Sequence, residues 1–157
     1  MTDIVLSRTV EHLELVEMFQ KTLPTLPISL VPLDDLRAMS ELSRPEDSGL
    51  LTFGAVEGVY PFGIGVVDLL GSVGDGVLVA LARHLSEHLN CDAVCDGTAY
   101  GDGSHPYFSV FWRSGEGWLA DDSGSDPYDG TGEAIRPLRR LTEPMPWLDS
   151  TGRVTLR

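Results

Sequence analysis

The chain has 157 residues, 42% of them hydrophobic, and 24 acidic against 11 basic side chains give it a net charge of −13 at pH 7. A chain this long fits one domain that buries roughly 70% of the surface its unfolded form exposes, so folding requires neither disulfide nor metal. The charge argues against nucleic acid and anionic membrane as partners and favours encounter with basic proteins.

The start, Met1 to Arg8, lacks the basic region and long apolar run of a secretory signal. No stretch approaches the ~18 consecutive apolar residues of a membrane span. In that setting Cys91 and Cys95 are expected to be free thiols, and residence in a reducing cytoplasm is the expectation that follows.

From Thr9 to about Thr22, Val10, Leu13, Val16 (or Leu15) and Phe19 recur at helical spacing, with Ser7 or Thr9 as a cap and Pro24 as a stop. Residues 23–33 carry Pro24, Pro27 and Pro32 among Leu, Ile and Val, which predicts an extended apolar connection on the core. A short helix is expected from Asp34 to Leu42, turning Leu36, Met39 and Leu42 inward. The polar loop Ser43–Gly49 then separates an N-terminal helical part (about 1–43) from a sheet-rich part (about 50–142).

Leu50–Val56 and Val59–Leu70 read as strands about a Glu57-Gly58 turn, and Gly63 and Gly65 suggest a bulge or a close backbone approach. The strongest helical signal follows Gly74-Asp75-Gly76. Val77, Leu78, Leu81, Leu85 and Leu89 form one stripe, Arg83 and Glu87 lie opposite, Asp75 serves as cap and Asn90 as exit. Ala93-Val94-Cys95 reads as a strand. The clearest strand pair is Pro106–Arg113 with Trp118–Asp121, where Phe108, Val110 and Trp112 share one face and Tyr107, Ser109 and Phe111 the other. A further strand is expected near Ile135–Leu141, and a Pro-rich tail after Glu143 wraps the surface. These elements predict a single α+β domain with a mixed or antiparallel sheet packed by two to three helices.

Tests for chemistry give no motif. His84, His88, Cys91 and Cys95 have helical spacing and zinc-binding side chains, but the helical signal ends near Asn90 and Cys95 falls in a strand. Cys95 sits between Asp92 and Asp96, which raise a thiol's pKa and disfavour a nucleophile. The loop from Asp121 to Glu133 places acids at some calcium-loop positions, yet Gly124 and Pro127 occupy positions that need a ligand and a glycine. The glycine-rich pieces lack the lysine of a phosphate loop, and Asp102, Ser104 and His105 are too close in sequence for a hydrolase triad. No catalytic residue, metal or cofactor is assigned.

Between His84 and Glu133 stand ten acidic residues and a single Arg, Arg113, interleaved with seven Tyr, Phe and Trp residues. Aromatic anchors among carboxylates suit a surface that receives a basic protein. The expected partner-binding residues are Tyr100, Asp102, Trp112, Trp118, Asp121, Asp122, Asp126, Tyr128 and Asp129. The expected function is non-catalytic binding, as in an immunity protein or other inhibitor of a basic toxin. The alternatives are a chaperone or adaptor for a basic or amphipathic segment, and a small hydrolase without a recognisable motif. After Glu133 the sign reverses, and Arg136, Arg139, Arg140, Arg153 and Arg157 are placed to neutralise the acidic edge.

Overall fold

A computed structural model describes residues 2–69, 75–127, 131–132 and 135–157. In the first half these form β1 (Ile4–Leu6), α1 (His12–Thr22), β2 (Ile28–Pro32), α2 (Leu36–Glu41), β3 (Gly49–Ala55), β4 (Phe62–Asp68) and α3 (Asp75–Leu89). In the second half come β5 (Ala93–Asp96), a 3-10 turn (Thr98–Tyr100), β6 (Phe108–Arg113), β7 (Glu116–Asp121), β8 (Ser125–Asp126) and β9 (Thr131–Gly132). The chain closes with β10 (Arg136–Arg140), β11 (Pro146–Leu148) and β12 (Val154–Leu156). The fold is α+β.

Eight strands make one mixed sheet in the order β10-β7-β6-β5-β1-β4-β3-β2. Only β2 and β3 run parallel, and every other neighbouring pair is antiparallel. β1 sits between β4 and β5 because Ile4, Val5 and Leu6 are apolar on both faces, and none of the three is exposed. Pro32 is tolerated in β2 because that strand is an edge. The strands on either side of α2 and the Ser43–Gly49 loop, β2 and β3, pair with each other, so the sheet is continuous across that connection.

One face of the sheet carries the main core. Phe108, Val110 and Trp112 of β6 lie there with Leu15, Met18 and Phe19 of α1 and with Val79, Leu81, Leu85 and Leu89 of α3. The inward stripe of α1 differs from the expected one: Leu15 and Met18 are buried, whereas Leu13 is 66% exposed. The helix has apolar residues on two faces, and packing selects the face that meets α3. Its N-cap is Glu11, with no side-chain cap bond from Ser7 or Thr9. In α2, Asp35 caps by accepting from the Ala38 amide (3.0 Å), and Leu42 lies outside the helix and exposed.

α3 is buried more widely than one stripe, because the β11–β12 hairpin, formed from the Pro-rich tail, packs on it as well as the sheet. Asn90 leaves the helix at φ 51°, the left-handed exit that Asn tolerates. The Asp75 side chain lies outside the described set. The opposite face of the sheet has a smaller core of Val5, Val94, Phe111 and Ala120, covered by Tyr60 and Ile135 with Trp118 packed against it. At Gly63 a Cβ would come within 2.8 Å of Thr2, the close approach expected of a glycine there.

Candidate functional site

The β6–β7 hairpin turns in two residues, Ser114 (φ 52°) and Gly115 (φ 79°). Such a turn matches the strand twist and fixes a register in which Phe108 faces Asp121 and Arg113 faces Glu116. The strand is therefore longer than the sequence predicts, since Glu116 and Gly117 already belong to β7. That register, with Asp96 opposite Ser109 and Arg136 opposite Asp121, gathers one end of three antiparallel strands at one end of the sheet. Asp96 closes β5, Asp121 and Asp122 close or follow β7, and Asp102 lies on the connection leading to β6. Asp3, just ahead of β1, joins the same end, where its carboxylate accepts from the Val66 amide (2.8 Å).

Each carboxylate also shapes its own turn. Asp96 accepts from the Thr98 hydroxyl (2.7 Å), and Asp102 accepts from the Ser104 amide (2.9 Å). Asp121 accepts from the Ser123 amide (2.8 Å) and pairs with Arg136 (3.3 Å). Asp122 accepts from the buried Ser109 hydroxyl (2.6 Å). Bonds from Ser104 hold Asp102, and bonds from Ser123 hold Asp121, below the usual carboxylate range, so both stay ionised well into acid.

The aromatics divide by face. Tyr107 is 53% exposed, and its carbonyl accepts from the Asp122 amide (3.0 Å), which places it among the carboxylates. His105 stacks on Phe108 at 4.4 Å and its Nδ1 accepts from the Tyr107 amide (3.1 Å), fixing this corner. Tyr100 is half-buried against the main core. A groove of about 330 Å³ opens there, lined by Tyr100, Asp102, Phe108, Leu119, Leu138 and Arg139. Its walls are apolar, with one carboxylate and one guanidinium at the rim.

Of the residues singled out from sequence, Tyr100, Asp102, Asp121 and Asp122 come together at this end. Trp112 does not offer an anchor: it is 2% exposed, with its ring over Gly117 and under the Arg83 guanidinium. Trp118 is half-buried on the opposite face. Asp126 lies in β8, where only its backbone is described, and Tyr128 and Asp129 fall outside the described residues. Asp96 and Tyr107 were missed as site residues. Alternation separates Tyr107 from Phe108, and the packing of the helices on the Phe108 face leaves Tyr107 outward.

Of the late arginines, Arg136 pairs with Asp121 and Arg140 with Glu116 (3.0 Å), both acids of the 84–133 stretch, whereas Arg139 pairs with Glu143 outside it (3.3 Å). His84 is a core residue whose Nε2 meets the Thr22 hydroxyl at 2.8 Å. Neither Cys91 nor Cys95 is in a disulfide, and burial pushes the Cys91 thiol up to about 11. Among the described residues no three His, Cys, Asp or Glu side chains are grouped to hold a metal ion, and no helix is long and apolar enough to cross a membrane. Comparison with protein-family models, with curated proteins and with solved structures finds no match to this chain.

Proposed function

We infer that this chain is a non-catalytic acidic binding protein that holds a basic protein partner, in the manner of an immunity protein or other inhibitor of a basic toxin, in a reducing cytoplasm. The observation that carries the reading is the placement of Asp96, Asp102, Asp121 and Asp122, together with an exposed Tyr107, at one end of the sheet. The carboxylates steer a cationic surface inward and Tyr107 supplies a flat amphipathic anchor. The free thiols of Cys91 and Cys95 support the compartment.

The test is binding kinetics against a partner captured from the native host, at low and high salt. Asp96→Asn and Asp102→Asn should slow association and flatten its salt dependence, because rim charges act on encounter. Tyr107→Ala should speed dissociation and cost about 2 kcal/mol, the scale of a hot-spot truncation. Association that ignores salt and all three substitutions removes this end of the sheet from the interface.

A further inference from the structure

At the turn end of the β6–β7 hairpin, away from the aspartates, a second cavity of about 410 Å³ opens. Its polar lining comes from Arg83, Glu116, Arg140, Glu143 and Arg157, beside Trp112. Among those side chains, three guanidinium groups face two carboxylates, with Glu87 beside Gly115 as a third acid, so the cavity is balanced in charge within a chain of net charge −13.

The guanidinium groups are only partly used. Arg83 lies over the Trp112 ring at 5.0 Å and donates its Nε–H to Glu87 (3.2 Å). Arg157 lies over the Trp147 ring at 3.8 Å. Arg140 reaches Glu116 through Nη2 (3.0 Å). A guanidinium stacked on an aromatic face keeps its N–H groups in plane, along its edge. That edge matches paired oxygens of a carboxylate or phosphate. Among the described residues, the buried Trp112 Nε1–H has no hydrogen-bond partner. A buried donor without an acceptor is costly and rare enough to need a reason. The cavity lining is rich in N–H donors that oxygen acceptors would satisfy, and the Trp112 indole that lines it carries an N–H without an acceptor.

We propose that this cavity binds a small oxyanion-bearing ligand, a carboxylate or a phosphate. Arg83, Arg140 and Arg157 hold the oxygens, and Trp112, Leu141 and Met145 form the apolar floor. The site is separate from the acidic end of the sheet, so either reading stands if the other fails.

The test uses the indole N–H signals of the three tryptophans in the 15N-labelled full chain, with Trp112 assigned through Trp112→Phe. Sodium phosphate and sodium benzoate are titrated separately, each against sodium chloride at equal ionic strength. The expected result is a saturable shift of the Trp112 signal with at least one of the two, weakened tenfold or more in Arg140→Gln and Arg157→Gln. Saturation with phosphate alone, benzoate alone or both names the source of the oxyanion. Arg140 and Arg157 are exposed, so both variants should keep the parent amide spectrum away from the cavity. A shift that chloride reproduces, a linear response without saturation, or unchanged affinity in both arginine variants overturns the proposal.

Discussion

His84 ties the pH dependence of stability to one buried ring. It is 5% exposed, stacked on Phe19 at 6.4 Å and beside His88 at 4.4 Å. The Thr22 hydroxyl gives its hydrogen to the Met18 carbonyl (2.7 Å), so at 2.8 Å the His84 Nε2–H is the donor. Burial, and next the charge of His88, lower its pKa from 6.5 to about 4. The folded value lies below the unfolded one, so the unfolded chain takes up a proton that the folded chain refuses. Stability is therefore full above pH 6.5 and is lost as pH falls toward 4. With 1.36 kcal/mol per pKa unit, the loss from this ring is about 2 kcal/mol between pH 7.5 and 5, approaching about 3 kcal/mol near pH 4. The assay is urea unfolding across that range for the parent and for His84→Gln, which keeps a donor for Thr22 and does not titrate. The carboxylates whose pKa is lowered lose their contribution at lower pH and are common to both proteins. The parent should lose about 2 kcal/mol more than the variant by pH 5. Parallel pH profiles would refute the assignment.

Other perturbations follow from the same contacts. At Gly97 a Cβ would stand 2.5 Å from the Ser109 carbonyl carbon and 2.6 Å from the Val110 nitrogen, so Gly97→Ala should lower stability by about 3 kcal/mol in chemical denaturation. Asp122→Ala leaves the fully buried Ser109 hydroxyl without its acceptor, at a cost of about 1–3 kcal/mol, whereas Asp122→Asn keeps an acceptor and should cost less. With Cys91 at about 11, only about 0.1% of it is thiolate at pH 8, so iodoacetamide should label it slowly in the native protein and quickly in denaturant. Equal native and denatured rates would contradict its burial.

The elements with strong periodicity were legible: α3, the β6–β7 hairpin and β10 lie where the pattern puts them. β1 was not read as a strand, because three consecutive residues buried on both faces give no alternation and are too few to suggest a helix. β2 reads as a bare connection because prolines flank and end it, and only its place at the sheet edge makes a strand there acceptable. In α1 two apolar faces compete, and the sequence has no way to say that Leu15 and Met18 would be the covered ones.

The acids of the candidate site were visible in composition, but which of them meet depends on register. Asp96 joins Asp121 only through β6, which separates their strands. Trp112 and Tyr107 illustrate the same limit. Both faces of β6 carry aromatics, so alternation separated the two residues without saying which face the helices would cover.

The central claim is that charge placed at one end of the sheet, and not total charge, selects a basic partner. The direct measurement compares three forms of the protein as bait in extract of the native host, with bound proteins quantified by mass spectrometry. The forms are the parent, Asp96→Asn with Asp102→Asn, and Glu17→Gln with Glu57→Gln. Both pairs alter exposed residues and remove the same charge, and Asn at 96 and 102 keeps the acceptors that shape those turns. The account predicts a basic protein retained by the parent and by the Glu pair and lost from the Asp pair. Equal retention by all three, equal loss from both pairs, or no basic protein on the parent would contradict it.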